Sequence, residues 1–339
     1  MKKYLLPRGG NFYRANLHCH TTVSDGKKTP EEVKERYKSL GYSIVAYTDH
    51  DVMVAHPELD DENFLALTGY EIEVTETWDG PFANKKTAHM CFIAMSRDVD
   101  RQVCWHREKY MIGHSGEYKD LVKFDESLPD YVREHNGECV SDIMKKGREG
   151  GFFVTYNHPT WSLEDSSDYL NFKGMQAMEI YNGSCITSGY EDINPRVYDD
   201  ILKSGERIYC IGADDNHNSH PDGSRRSDSG VAFTVIKAPS LEYNAVTSAL
   251  EKGHFYASLG PEIKQLYYED GKVHIVTSPA DRIVMNTGIR RRGIVFREEG
   301  KRLTRASFNV PADCVYFRIT VFDREGKRAD TNAYFIDSL

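Results

Sequence analysis

Histidines and acidic residues recur in this sequence where apolar, strand-like segments end. The segment NLHCHTTVSDG places His18 and His20 two residues apart and Asp25 five residues further on. Side chains two residues apart on a strand point to the same face, so both imidazoles can bind one metal ion while Cys19 points into the core. An isolated H-x-H pair is as often a surface pair as a ligand pair, so the interpretation depends on the rest of the chain.

The ends of four later strand-like segments carry the same kinds of residue. His50 lies at the end of SIVAYTDHD, Glu71 at the end of NFLALTGYE and His158 at the end of GFFVTYNHP. Asp214 and His217 follow RIYCIGA. Barrel enzymes build their active sites at the carboxyl ends of strands, and a mixed set of Asp, Glu and His favours Zn, Mn or Fe. The set is too large for one ion and suits two or three clustered ions with a bridging carboxylate.

The elements that must position these residues alternate between strand and helix up to about residue 258. Predicted helices include 30–40, with Thr29 as N-cap and Glu32 completing a capping box, and 241–251, with Ser240 as N-cap. This alternation predicts an α/β fold with a parallel sheet or barrel, and about seven strands favour a barrel.

Two regions depart from the alternation. Residues 97–150 are polar and predicted to be helical, as either a lid over the substrate or a scaffold insertion. After residue 259 the pattern turns to β, with a hairpin around Asp270-Gly271 and two later strands. We therefore predict a hydrolase domain at 1–258, containing the insertion, and a small antiparallel β-sandwich domain at 259–339.

Composition limits the kinds of partner. The 339 residues carry a formal net charge of −9, which disfavours a membrane surface or an extended nucleic-acid track. There is no run of about 18 apolar residues, and the apolar stretch near the start is too short for a signal sequence. Seven cysteines without a C-x-x-C pair favour reduced thiols and a cytoplasmic location. No obligatory protein partner is predicted.

Taken together, the H-x-H pair, TDHD, the Glu71 motif, NHP and the Asp214–His217 segment resemble the polymerase-and-histidinol-phosphatase (PHP) superfamily of metal-dependent phosphoesterases. The resemblance covers about residues 12–258, and the tail is similar to that of a two-domain branch. It implies a distorted (β/α)7 barrel that binds two or three divalent ions. His89 opens AHMCFIAM instead of ending it, so only the family pattern gives it a place.

The resemblance also implies a role for each ligand. The first ion would be held by His18, His20, Glu71 and Asp214. Glu71 would bridge to a second ion on His89 and His158, and a third would bind Asp25, His50 and His217. Many members have histidine where Asp25 stands, which leaves occupancy of the third site open. The expected catalytic residues are Glu71, His158, Asp214 and His217.

The expected reaction is attack of a water, activated between two ions, on a small phosphorylated metabolite, a nucleotide or an oligonucleotide end. Arg225 and Arg226 are either a phosphate clamp or two solvated loop residues, and Trp161 either lines the pocket or packs. Two alternatives stay open: hydrolysis of a non-phosphate ester or carbamate, and a binding module with structural metals.

Overall fold

The strand–helix alternation of the first part of the chain forms most of one large mixed sheet. The computed structural model describes residues 2–339. Its strands are β1 (Lys3–Tyr4), β2 (Asn11–Asn16), β3 (Ile44–Tyr47), β4 (Leu65–Thr75), β5 (Thr87–Ala94), β6 (Phe152–Tyr156), β7 (Ala177–Asn182), β8 (Tyr209–Ala213), β9 (Phe233–Ala238), β10 (Phe255–Ser258), β11 (Ile263–Glu269), β12 (Lys272–Ala280), β13 (Arg282–Thr287), β14 (Gly293–Phe296), β15 (Leu303–Asn309), β16 (Tyr316–Phe322), β17 (Arg328–Thr331) and β18 (Tyr334–Phe335). The helices are α1 (Pro30–Ser39), α2 (Gly137–Glu149), α3 (Ser166–Tyr169), α4 (Gly183–Thr187), α5 (Pro195–Lys203) and α6 (Tyr243–Glu251).

The central part of the large sheet has the order β9-β2-β3-β4-β5-β6-β7-β8. Strands β2, β3 and β4 are parallel, as are β6, β7 and β8, whereas β5 is antiparallel to both of its neighbours. The two ends of this run approach each other, because the Thr234 hydroxyl of β9 donates to the Gly212 carbonyl of β8 at 2.9 Å. The sheet is therefore curved. Buried apolar side chains from its two halves pack against one another and form a core inside the curve.

The predicted α/β class is confirmed, but a regular sevenfold strand–helix repeat is not. Strand β4 pairs first with β3 and then, through Gly69–Thr75, with antiparallel β5. Among residues 2–339, no α-helix separates β4 from β5 or β8 from β9. Where helices were predicted beside strands they are present, and α1 has the predicted capping box of Thr29 and Glu32. Helix α6 begins later than expected, with Glu242 and not Ser240 as N-cap.

The insertion at 97–150 is largely irregular up to α2, contrary to the predicted helices. It packs against the loops after β2 and β3 through a small apolar cluster of Val23, Val52, Trp105 and Val122. Arg133 adds a buried ion pair with Asp51. The insertion therefore braces loops that carry predicted metal ligands.

The C-terminal region is β-rich, as predicted, and its hairpin turns at Asp270 and Gly271, both with positive φ. A second sheet has the order β1-β11-β12-β15, and its apolar face packs with that of β13 and β16 in one core cluster. Strand β17 pairs with β10, so the large sheet continues into this region. No helix within residues 2–339 has the length and apolar character needed to cross a bilayer.

Candidate metal centre

The predicted ligands other than Asp214 meet at one edge of the sheet, beside a cavity of about 280 Å³. The parallel strands bring their carboxyl ends to this edge. Antiparallel β5 brings its amino end to the same edge, which places His89 beside the others. Five overlapping sets have ligand atoms within 4.8 Å of one another: His20, Asp25, His50 and His217; His18, His20 and Asp215; His18, His158 and Glu179; His18, Glu71 and Cys91; and His50, Glu71 and His89.

The H-x-H pair is arranged as its spacing predicts. The Nε2 atoms of His18 and His20 are 3.1 Å apart, and both side chains are buried. The same oxygen of Asp215, Oδ1, lies 3.2 Å from His18 Nε2 and 3.0 Å from His20 Nε2. Three donor atoms thus converge on one point, as a single cation requires.

Glu71 lies at the centre of the cluster, although it does not end its strand. Its Oε1 lies 3.1 Å from His18 Nε2 and 3.1 Å from His89 Nδ1, and its Oε2 lies 3.2 Å from His50 Nδ1. His158 Nε2 is 3.7 Å from Oε1. A carboxylate with histidines on both oxygens has the arrangement of a bridging ligand between two ions.

A third group of donors lies nearer the cavity mouth. Asp25 Oδ2 is 3.4 Å from His217 Nε2, and Asp25 Oδ1 is 3.7 Å from His20 Nδ1. The His20 ring stacks against both His50 and His217, with centroids 4.4 Å away in each case. Asp25 therefore stands with the ligands that the family pattern assigns to a third ion.

Asp214 is the one predicted ligand that the structure does not place in this cluster. Its carboxylate accepts hydrogen bonds from the backbone amides of Gly230, Val231 and Ala232, at 2.6, 2.8 and 2.8 Å, and from the Tyr37 hydroxyl at 2.9 Å. Asp214 turns into the core, whereas Asp215, which has a positive φ of 51°, turns toward the histidines. The structure therefore places Asp215, and not the predicted Asp214, beside His18 and His20.

The sequence analysis also missed two buried carboxylates that orient the ligands. Glu179 Oε1 is 2.8 Å from His18 Nδ1, and its Oε2 accepts from the His158 backbone amide at 3.0 Å. Asp49 accepts from the backbone amides of Thr21 and Ser24, at 2.7 and 3.1 Å, which fixes the loop between His20 and Asp25. Both residues lie in or just after strand-like segments, AMEIYN and YTDHD. The sequence alone does not show whether an acidic residue at such a position binds a metal or orients a ligand.

The side chains of the cluster do not satisfy all of one another's hydrogen-bonding groups. Burial and the nearby His20 lower the pKa of His50 to about 3, which keeps that imidazole neutral. Burial also lowers the pKa of His158, but the hydrogen bond to Glu71 and the charge of Asp215 outweigh it and raise the value to about 9. Three buried atoms, His50 Nδ1, His89 Nε2 and Asp215 Oδ1, have no hydrogen-bond partner in the described part of the chain. Unpartnered buried donors and acceptors are costly, and divalent cations bound within the cluster would give such atoms partners. The residues therefore fit a metal centre.

The structure does not bring the predicted phosphate clamp into the site. Arg225 and Arg226 are exposed and do not line the cavity. Trp161 does line it, as does Ile112 of the insertion. The insertion therefore contributes to the cavity wall as well as bracing the ligand loops.

Comparison with known proteins points to one family. A family model described as the PHP domain matches residues 16–200, more than half of the 339 residues. Two curated proteins are similar over a short segment: the 5′-3′ exoribonuclease of Haemophilus influenzae is 32% identical over 69 residues, and the 5′-3′ exoribonuclease Rnm of Salmonella typhimurium is 37% identical over 68 residues. Each alignment covers 19% of this chain and 24% or 23% of the relative, so the chain spans about a quarter of the length of these relatives.

Two solved structures are weakly similar to this chain. One, from Bacteroides vulgatus, is a two-domain protein described as containing a predicted PHP-like metal-dependent phosphoesterase; it is 14% identical, with a TM-score of 0.46 and 98% of both chains covered. An amidohydrolase from Chromobacterium violaceum is 18% identical, with a TM-score of 0.36 and 60% of this chain and 87% of that chain covered. Both TM-scores are low, so neither likeness supports a conclusion about this chain.

Proposed function

The chain belongs to the PHP domain family, and from that premise we propose that it is a metal-dependent hydrolase that cleaves phosphoester bonds. The observation that carries the proposal is the position of Glu71, whose Oε1 lies 3.1 Å from nitrogens of both His18 and His89 and whose Oε2 lies 3.2 Å from His50 Nδ1. Sites with two adjacent ions suit in-line displacement at phosphorus, because one ion can stabilise the attacking oxygen and the other the leaving oxygen.

The proposed ligand set is that of the family pattern, with Asp215 in the place of Asp214. One ion would bind His18, His20, Glu71 and Asp215; a second would share Glu71 and bind His89 and His158; a third would bind Asp25, His50 and His217. The chemistry of the donors favours Zn, Mn or Fe over Mg or Ca. When bound, such ions lower the pKa of a water and neutralise the phosphate oxygens.

The protein's own residues hold the ligands in place for this reaction. Glu179 accepts a hydrogen bond from the His18 Nδ1–H group, so Nε2 of that ring faces the cluster. Asn157 donates to Glu71 Oε1 at 3.1 Å, and Asn182 donates to Asp215 Oδ2 at 3.2 Å. In the hydrolysis, an oxygen–phosphorus bond to water forms, the bond to the leaving oxygen breaks, and that oxygen takes up a proton.

The substrate is proposed as a small phosphorylated metabolite, a nucleotide or an oligonucleotide end. The two exoribonuclease relatives support the oligonucleotide end, but only over about a quarter of their length. The compartment is proposed to be reducing, as in the cytoplasm, because all seven cysteines are free and six of them are buried.

The test combines metal analysis with a substrate screen. Purified protein is expected to carry at least two Zn, Mn or Fe ions per chain by elemental analysis. Chelation should abolish phosphate release from phosphomonoesters and lower the Tm, since an ion bound only by the folded state stabilises it. A panel of carboxylic esters and carbamates is assayed alongside. Turnover of that panel alone, without competition by inorganic phosphate, would contradict the proposal.

A further inference from the structure

Two aromatic side chains form one wall of the cavity beside the metal centre. Phe82, in the turn between β4 and β5, lines the cavity with 53% of its surface exposed. Trp161, after β6, lines it as well, and the two ring centroids are 6.5 Å apart with planes inclined at 52°. A large apolar ring that is exposed at the mouth of a cavity offers a contact surface to an apolar group of a bound molecule.

The wall is attached directly to the proposed ligands. The Trp161 ring meets His158 edge-on at 5.1 Å and His89 at 5.4 Å between centroids. The Trp161 backbone amide donates to the Asp192 carboxylate at 2.9 Å, and this hydrogen bond holds the backbone of Trp161 in place. A molecule held by the ions is therefore within reach of both aromatic rings.

The charges of the cavity restrict what else that molecule can carry. Its lining includes the carboxylates of Asp25, Glu71, Glu73 and Asp215, and no lysine or arginine of residues 2–339. Two nearby lysines are paired, Lys86 with Asp168 at 2.6 Å and Lys28 with Asp222 at 3.2 Å. One phosphate can be neutralised by the ions, but a second phosphate finds no positive side chain in the cavity wall.

The volume agrees with a single small molecule. A cavity of about 280 Å³ is close to the lower limit for small-ligand sites, roughly 300 Å³. A cavity of this size suits one small phosphorylated molecule.

We propose that Phe82 and Trp161 form a stacking site for the base of a nucleoside monophosphate whose single phosphate is the group hydrolysed at the metal centre. This inference rests on the proposed phosphoesterase function and specifies its substrate. Bases stack on aromatic side chains regardless of their identity, so the wall selects for a flat ring and not for one particular base.

The experiment compares a nucleoside 5′-monophosphate with ribose 5-phosphate, using the metal-loaded full chain. We expect kcat/KM to be higher for the nucleotide by about 5- to 150-fold, the range of stacking on an aromatic side chain. Phe82→Ala should lower kcat/KM for the nucleotide by about 10-fold and leave that for ribose 5-phosphate unchanged. The free nucleoside should inhibit the parent protein competitively and the variant less.

Two control variants separate stacking from damage to the fold. Phe82→Tyr keeps a ring and should keep the preference, and Phe296→Ala removes a phenylalanine that is 62% exposed on β14 and should change nothing. Metal content should be equal in all variants, because none of these residues is a proposed ligand.

Several results would overturn the inference. Equal turnover of nucleotide and ribose 5-phosphate, or an equal loss of both in Phe82→Ala, would reject the stacking site while leaving the phosphoesterase function intact. Faster cleavage of a 5′-phosphorylated trinucleotide than of the mononucleotide would reject the single-phosphate part. Absence of phosphate release from every substrate by metal-loaded protein would instead reject the proposed function itself.

Discussion

Two clusters of buried charge lie in this protein, and they differ in whether they are complete. One is the metal centre. The other, the ion network, consists of Asp199 on α5, Arg318 on β16, and Arg328 and Asp330 on β17. Arg318 donates to Asp199 at 2.9 and 3.0 Å and to Asp330 at 2.6 Å, and Arg328 approaches Asp330 at 3.0 Å.

The network balances its own charges, because two guanidinium groups face two carboxylates. None of its buried side-chain nitrogen or oxygen atoms lacks a hydrogen-bond partner among the described residues, whereas the metal centre leaves three such atoms. Arginine cannot lose its proton in a protein, so this network needs no ligand and carries stability. The histidines and carboxylates of the candidate metal centre have no such fixed cation among the described residues, so we expect an added divalent cation to complete that cluster.

The largest expected effect comes from Asp215→Asn. Losing the carboxylate oxygen shared by His18 and His20 should lower phosphate release on the order of 10³-fold, as loss of a strong electrostatic contact in an active site does. Metal content by elemental analysis should fall while circular dichroism stays that of the folded protein. Full activity with full metal content would show that Asp215 is not a ligand.

Breaking the ion network should affect stability and not metal. Arg318→Met leaves Asp199 buried without its cation and should cost about 3–5 kcal/mol in the free energy of unfolding measured with urea. Metal content and activity of the folded fraction should not change. As a matched control, Arg291→Met removes an exposed pair with Asp313, 3.0 Å apart, which contributes at most about 1 kcal/mol. Similar losses from both arginines would remove the distinction between buried and exposed pairs.

Asp214→Asn tests which of two adjacent aspartates belongs to which kind of cluster. The amide cannot accept from three backbone amides and a hydroxyl as the carboxylate does, so we expect a loss of about 1–3 kcal/mol in unfolding free energy. Metal stoichiometry should persist in the folded protein. If Asp214→Asn instead removes metal and leaves the Tm unchanged, the assignment of the two residues must be reversed.

The smallest effect is expected for the double change Arg225→Ala, Arg226→Ala. Both side chains are exposed and outside the cavity lining, so kcat/KM for a phosphomonoester should stay within about twofold of the parent, as for ordinary surface substitutions. Inhibition by inorganic phosphate should also persist. A large loss of both would restore these arginines as a phosphate clamp.

Much of the site was predictable because strand ends and residue types carry the signal. The H-x-H spacing placed His18 and His20 correctly, and the recurrence of His50 and His158 after apolar runs pointed to the same edge. Asp215 was not predicted, because it lies after the end of β8 with a positive φ of 51°, where the alternation of a strand does not apply.

The remaining features depend on contacts that a sequence does not display. His89 looked out of place because its strand, β5, runs antiparallel to its neighbours, and strand direction follows from tertiary pairing. Residues 97–150 form no α-helix before α2. Their conformation is set by packing against two loops and by the ion pair of Arg133, and not by the helix propensity of the local sequence. The α/β class and the β-rich C-terminal region were predicted from the periodicity of apolar residues. The mixture of parallel and antiparallel strands in the large sheet was not predicted.

Strand β1 pairs with β11, so the second sheet cannot be completed until the ribosome has synthesised the chain as far as β11. Lys3 lies opposite Tyr268, a separation of 265 residues in sequence. At about 5–20 residues per second, the ribosome delivers the partner strand roughly 13–50 s after the first. During that interval Leu5 and Leu6, which are buried in the finished sandwich, have no core to join. The second sheet is therefore expected to close last, with a high contact order and a correspondingly slow final step.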